Sequence, residues 1–570
     1  MRVKTVALSA LLLLACDEPP TEPCEPLEIG FSVVTSGEDD LDILFVIDNS
    51  GSMTEEQASL AVALPGLFDA LLMGDLDGDG ERDVEPVSSL QLGVVTADLG
   101  TGGHTVPTCM PSDFGDDGVL RTTGRTDIAG CPATVPSFMG FSPEDDPTSA
   151  AFDLACVTQA GTGGCGFEQQ LEAMLKALSP SRPSDDSPPD DRPPVFFGDT
   201  SGHGDGDNAG FLRANSTLIV VMLTDEEDCS AADPGLFDPL DPDYRDTDLN
   251  LRCVRHPEAL HSIDRYVDGL LSLREWPGDI VFVPIVGIPP ELATRPNGYT
   301  DWGALIGPVE MRDPRLVGGV DPAMPTRLVP SCNLPGRGLA FAPIRILETA
   351  EQLQRQGARV SVQSICQESF EGIMDSVMRQ LRSPVSADCI STALTRGPDG
   401  RVDCTMRVTL PPDVACESVP GATPHTGADG VPEAVDGRPV CDVAQRPVDA
   451  AARASEAPPA GDGFWLDDYV GPFVCEGPPF RLALPPLPAR SRVRLRCPVT
   501  TLADSIEGDP CDPTDDTSCL FIPGRDLACD PVTERCAETC SYDYDCARFF
   551  DASCAIEEGA TVGVCRRNAC

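Results

Sequence analysis

Short apolar runs punctuate this chain at intervals, with amphipathic stretches between them. Ile43–Ile47, inside LDILFVIDNSGSM (Leu41–Met53), is a continuous apolar run. That is the pattern of a strand covered on both faces. Leu90–Thr96, Ser216–Thr224, Ile280–Val286 and Arg359–Ile365 repeat it. Between these runs the spacing becomes helical. Leu60, Leu64, Leu67, Phe68 and Leu71 make one stripe over Thr54–Leu72. Phe167, Leu171, Met174, Leu175 and Leu178 make a second, and Leu260, Ile263, Val267, Leu270 and Leu271 a third, within Pro257–Leu273. Ile344–Gln356 and Phe370–Leu381 read as two further helices. Strands alternating with helices predict an α/β fold with a doubly wound, mostly parallel sheet. Thr54 and Gln57 fit a capping box at the first helix, and Pro65-Gly66 predicts a kink or a break in it.

Long loop-rich insertions interrupt this pattern at about residues 97–155, 229–253 and 287–342, and Ser179–Pro194 has the composition of a disordered loop. After residue 385 the helical period disappears. Thr405–Leu410 and Ser491–Val499 alternate like half-buried strands. The expected organisation is a leader at 1–15, a tether at 16–38, the α/β domain with loop insertions at 39–385, a small β-rich disulfide domain at 386–505 and a disulfide-rich tail at 506–570.

Charge and cysteine change the picture next. The formal net charge is −52. Such a surface repels nucleic acid and anionic headgroups, and attracts divalent cations. Only Lys4 and Lys176 supply lysine. No H-E-x-x-H, C-x-x-C or G-x-S-x-G pattern occurs. Arg2 and Lys4 precede a short apolar stretch, Val6–Leu14, too short to span a bilayer, and no later segment reads as apolar enough to cross one. There are 25 cysteines, and setting aside Cys16 leaves an even number, as expected of a disulfide-bonded protein in an oxidising compartment. Cys109–Cys131 is a plausible bridge, and Cys165 is expected to pair with Cys156. Cys24 and one tail cysteine are the odd ones in their segments and are candidates to pair with each other.

Candidate chemistry gathers where the buried strands end. Asp48, Ser50 and Ser52 follow Ile47 as a carboxylate and two hydroxyls at alternate positions. Hard oxygens of this kind suit magnesium, manganese or calcium. They lie beyond the carboxyl end of a strand, where open α/β sheets place their ligands. Ser216–Thr224 likewise ends in Asp225, followed by Glu226, Glu227 and Asp228. Elsewhere, Asp75, Asp77, Asp79 and Asp83 in DLDGDGERD match the opening of a calcium loop. Pro86 stands where that loop needs a glutamate, so an acidic surface turn competes with it.

The Asp48-x-Ser50-x-Ser52 stretch resembles the metal-ion-dependent adhesion site of von Willebrand factor A-type domains, whose fold is Rossmann-like. The resemblance covers about residues 39–385. It implies that Asp225 is the third-loop metal group, and that a threonine from the turn before the second helix reaches the metal. Cys165 holds that place here, and Thr162 is the nearest threonine, with Glu168 or a water as substitutes. Leu13-Leu14-Ala15-Cys16 resembles a bacterial lipobox, implying a lipid on Cys16. NAGFLR (Asn208–Arg213), TDEEDCS (Thr224–Ser230) and SICQESF (Ser364–Phe370) resemble a subgroup of secreted bacterial lipoproteins.

These resemblances together imply a lipid-anchored protein of the bacterial cell envelope with no enzymatic activity. It would bind a protein or matrix partner that offers a carboxylate to a magnesium ion, or to manganese or calcium. The expectation includes membrane attachment through the anchor and no nucleic-acid partner. Two other readings remain open: a structural envelope protein without a metal-dependent ligand, and a metal-dependent hydrolase using Glu226–Asp228.

Overall fold

A computed structural model of the chain describes residues 28–35, 40–373 and 399–498 apart from internal gaps, the longest at 183–192 and 468–480, together with Ser376, Met378 and four strands at 527–567. Cys16, Cys24, Asp77, Met374, Val377 and Leu381 lie outside the described residues.

The elements that position the candidate site are, in chain order, β1 (Glu28–Thr35), β2 (Asp40–Ile47), α1 (Thr54–Phe68), β3 (Ser89–Thr96), β4 (Phe138–Phe141), α2 (Pro147–Thr158), α3 (Gln170–Leu178), β5 (Thr217–Leu223) and β6 (Ile280–Val286). The central sheet is mixed and mostly parallel. β2 lies between β3 and β5; β6 follows β5, and Arg359–Val360 and Gln363–Ser364 both pair with β6. β4 closes the other edge antiparallel to β3. β2 is apolar at both parities because both faces are covered. Ile43, Phe45 and Ile47 pack with Leu60, Leu64 and Phe68 of α1 and Leu154 of α2. Leu44 and Val46 pack with Leu171, Met174 and Leu175 of α3, and with Tyr266, Leu270, Ile346 and Leu353 of two later helices. Each such fully buried side chain contributes roughly 1.5–3 kcal/mol.

Several expectations need correction. α1 runs through Pro65 without a break, and Asp69–Met73 continues it as a π-helical turn. Together they form a 20-residue helix, Thr54–Met73, long and apolar enough by composition to cross a membrane. Here its stripe is buried on the sheet, as core helices are. Thr54 does not cap it: the N-cap is Met53, without a side-chain bond. The insertion after β3 holds a strand, β4, and a helix, α2, that were read as loop. α2 starts at Asp146, whose carboxylate accepts the Ser149 N–H, with Pro147 in the first turn. The third helix is shorter than expected, Asp264–Leu271, because Leu260 is extended.

β1 falls where the tether was expected. It pairs antiparallel with Ser491–Pro498, which in turn pairs with Thr405–Thr409. Arg438–Val443 and Ala422–Pro424 complete that path, with Ala434–Val435 also on Arg438–Val443. Val408, Phe464, Val493 and Leu495 are buried among its core residues, and Cys404–Cys497 and Cys416–Cys441 bridge it.

One of the quoted motifs, NAGFLR (Asn208–Arg213), helps hold the α/β unit together. The Asn208 side chain accepts from Leu120 N–H and donates to the Gly118 and Ala177 carbonyls. Arg213 clamps the buried Asp42 carboxylate through its backbone N–H and its Nε, both at 2.7 Å.

Candidate metal site at the strand tips

Parallel register sets the site. Ile47 pairs with Leu223, so β2 and β5 end at the same level. The Asp48 N–H continues the ladder onto the Leu223 carbonyl, at 2.9 Å. The chain then leaves both strands as polar loops on one edge of the sheet, so Asp48 and Asp225 become neighbours although 177 positions separate them in sequence.

Asp48 is fully buried. Its Oδ1 accepts the Ser50 N–H at 2.8 Å, and its Oδ2 accepts the Thr224 hydroxyl at 2.7 Å. Ser50 Oγ lies 3.3 Å from Ser52 Oγ. Ser52 Oγ in turn donates to Asp225 Oδ1 at 3.2 Å. The Ser50 N–H and then the Ser50 and Ser52 hydroxyls thus link Asp48 to Asp225, and all four expected oxygen donors of the two loops are brought together.

The second loop is held beside them by two staples. Gln57 Nε2 donates to the Asp48 carbonyl at 2.8 Å and to the Gly161 carbonyl at 2.9 Å, while its Oε1 accepts the Gly161 N–H at 3.0 Å. Gly164 N–H donates to the Asn49 carbonyl at 2.8 Å. Thr162 lies in the turn between these staples and is exposed. Cys165 is buried and bonded to Cys109; Cys131 bonds Cys156, so both expected pairings are corrected. Pairing was illegible because it depends on how the insertion folds back over the second loop, where Gly166 N–H meets the Thr108 carbonyl.

Electrostatically the site is crowded with acids. Burial, and then the neighbouring Asp48, push the Asp225 carboxyl up to about 8. Burial pushes Asp48 up as well, against the Thr224 and Ser50 hydrogen bonds. Glu168 and Glu226 are driven well above the usual carboxylate range, first by burial and then by the surrounding acids. Glu227 and Asp228 have other work. Glu227 accepts the Ile344 N–H at 2.8 Å and the Arg345 N–H at 3.1 Å, capping the helix Ile344–Arg355. Asp228 accepts the Leu171 N–H at the start of α3 and pairs with Arg345 Nε, both at 3.0 Å. Gln57 and Thr224 are the site residues that pattern reading missed. Thr224 had a signal in its place directly before Asp225; Gln57 was misread as a cap.

The Asp75–Asp83 loop lies elsewhere, after the π-turn that extends α1. Asp75 Oδ2 accepts the Gly80 N–H at 2.8 Å and Asp79 Oδ1 the Glu81 N–H at 2.7 Å. Asp83 N–H bonds the Gly74 carbonyl at 2.9 Å. These bonds close the loop on its own backbone.

No protein-family model matches the chain, and no curated protein matches it. Among solved structures it is similar to a von Willebrand factor type A protein from Catenulispora acidiphila, at 11% identity and a TM-score of 0.25, over 83% of this chain and 62% of that one. It is similar to proximal thread matrix protein 1 from the mussel byssus, at 10% identity and a TM-score of 0.21, over 63% and 52%. It is also similar to the human COPII-coat protein Sec24c, at 10% identity and a TM-score of 0.25, over 83% and 47%. The chain spans less than two thirds of each of these three chains.

Proposed function

We propose that this is a lipid-anchored protein of the cell envelope that binds a protein or matrix partner through one divalent ion. Asp48, Ser50, Ser52 and Asp225 would hold the ion. The observation that carries this reading is the hydrogen-bonded path from Asp48 through the Ser50 N–H and the Ser50 and Ser52 hydroxyls to Asp225, on two strand tips in one register. The donor set fits a hard cation: every group is an oxygen, and buried acids stand close together. When bound, the ion would act as a Lewis acid with a position left open. A partner carboxylate would fill that position, so that the metal joins two negative groups that otherwise repel.

The chain's own residues set up this geometry. The Ser50 N–H and the Thr224 hydroxyl fix the Asp48 carboxylate. Gln57 holds the second loop against the first. The Phe341 N–H, 2.8 Å from the Asp225 carbonyl, ties the long third insertion to the same edge. That insertion and the one closed by Cys229–Cys253 would shape partner choice, as loops on a rigid scaffold do. The competing hydrolase reading relied on Glu226–Asp228, yet Glu227 and Asp228 are committed to helix starts and to Arg345. Cys16, as a lipidated residue, would place the site outside the membrane.

The test is metal content of the purified full chain, followed by binding of wild type and Asp48→Ala to whole cells or matrix with and without chelator. Loss of both metal and binding in the variant is the expected result. Metal content unchanged by Asp48→Ala removes the site.

A further inference from the structure

We infer that Gly164 is a positioning residue for the ion. The missing side chain there lets the second loop seat against Asn49, which keeps the neighbouring Asp48 and Ser50 in place. The inference rests on the metal reading above and deepens it, because it makes the site depend on a residue that offers no side-chain ligand.

Asn49 stands between two of the proposed ligands, in Asp48-Asn49-Ser50, and is only 7% exposed. Gly164 meets it twice. Its N–H donates to the Asn49 carbonyl at 2.8 Å. Its Cα also faces the Asn49 side chain so closely that a Cβ would overlap Oδ1 and Cγ and stand 2.7 Å from Nδ2. Backbone conformation is not what calls for glycine here. Gly164 is not among the glycines with positive φ, so alanine would suit the backbone and fail for want of space. Gly163 is the opposite case: a Cβ there would meet nothing within 4 Å. Two adjacent glycines thus differ in what an added methyl would do.

The second loop has little room to back away. On its other side, the Gly166 N–H donates to the Thr108 carbonyl at 2.8 Å, and a Cβ on Gly166 would come within 2.9 Å of Thr108 Cβ. Between the two glycines, Cys165 is bonded to Cys109. The Gly164–Gly166 segment is therefore wedged between the first loop and the first insertion. Gln57 draws the two loops together through Asp48 and Gly161, and the bare Cα of Gly164 decides how near they come. A methyl at position 164 has to push Asn49, whose buried amide has little open space to swing into. Close-packed surroundings pass such a displacement on rather than absorb it. It falls on Asp48 and Ser50, which are bonded to each other and to Thr224.

The experiment uses the chelator-stripped full chain, titrated with manganese by calorimetry, for wild type, Gly163→Ala, Gly164→Ala, Asn49→Ala and the double variant Asn49→Ala with Gly164→Ala. Gly164→Ala should weaken manganese binding by about tenfold or more, the usual scale for losing a group that orients ligands. Gly163→Ala and Asn49→Ala should stay near wild type. The double variant should bind more tightly than Gly164→Ala alone, because the atoms that the new methyl strikes are gone. Metal-free melts of the same five chains report whether each one folds. Manganese affinity that survives Gly164→Ala, that falls equally with Gly163→Ala, or that Asn49→Ala does not restore overturns the inference and leaves the metal site standing. A wild-type chain that binds no manganese overturns the metal reading and this inference with it.

Discussion

Gln57 and Gly161, 104 residues apart in sequence, hold each other by a reciprocal pair of hydrogen bonds at 2.9 and 3.0 Å. The same Gln57 amide also donates to the Asp48 carbonyl. One side chain on the first turn of α1 thus sets the distance between the first and second loops. Gln57→Leu keeps most of the volume and removes all three bonds. It should weaken metal binding by roughly 10- to 100-fold, the usual cost of losing a group that orients ligands. Calorimetric titration with manganese measures this, and an unchanged affinity would mean that the second loop does not contribute to the site.

The Cys109–Cys165 bridge closes 56 residues and secures the second loop from its far side. Chain-entropy arguments put its contribution at about 4 kcal/mol. The paired change Cys109→Ser with Cys165→Ser should lower the urea midpoint accordingly, with the slope unaltered. Peptide mapping of the native chain should recover Cys109 with Cys165 and Cys131 with Cys156. A Cys156–Cys165 peptide would contradict the arrangement of the loop.

Lys176 is almost wholly buried and pairs with Asp117 and with the Thr200 hydroxyl. Burial tends to raise the Asp117 carboxyl, but hydrogen bonds from His203 and Lys176 and their charges outweigh it, and the net shift is downward. A depressed carboxylate stabilises the fold fully above its unfolded value, and the contribution fades as pH falls through the folded value. Asp117→Asn leaves the Lys176 ammonium without its counter-charge and should cost about 3 kcal/mol at neutral pH. The difference between wild type and variant should begin to shrink as pH falls below the ordinary aspartate value of about 4, and should go on shrinking through the lower value at which folded Asp117 takes up its proton. Urea melts across that range would show it, and a difference constant with pH would contradict it.

Asp42 is fully buried at the opposite end of β2 from the site, and Arg213 is its bidentate partner. Arg213→Met should destabilise the chain by about 3 kcal/mol, because an ionised carboxylate is left with fewer partners. Adding Asp42→Asn should recover much of that loss. A double variant no better than the single one would show that the arginine acts through packing alone.

The central strands were legible because each is covered on both faces, and a strand in that position can be little else than Ile, Val, Leu and Phe. β6 matches its expected span, and β2 and β5 match within a few residues. The ends of those strands were legible for the same reason: Asp48 and Asp225 stand out against the runs that precede them. What depends on distant parts of the chain was not. β4 has only four residues, Phe138–Phe141, none fully buried. α2 is built largely from small residues, Ala150 and Ala151 among them, and gives a faint stripe; its one clear signal was Asp146-Pro147. Gln57 satisfies a capping pattern locally, yet the first and second loops together offer it three better-placed partners, the Asp48 carbonyl and the carbonyl and N–H of Gly161. Nothing in EIGFSVVT announces that its ladder partner lies more than 450 positions away.

That last pairing governs how the molecule would bear a pull. With the hold at the proposed Cys16 anchor and the load on the strand-tip site, the covalent path leads through β1 and then β2, whose far end carries Asp48. β1 is already extended and has no slack to yield. β2 is gripped by eight paired positions on one side and seven on the other, which must slide together. A load on the chain beyond Pro498 meets the same hold at one end of the β1 ladder, where Glu28 faces Pro498, and opens it rung by rung. Force delivered through the proposed metal site is carried in shear, and force delivered through the cysteine-rich end is carried by peeling.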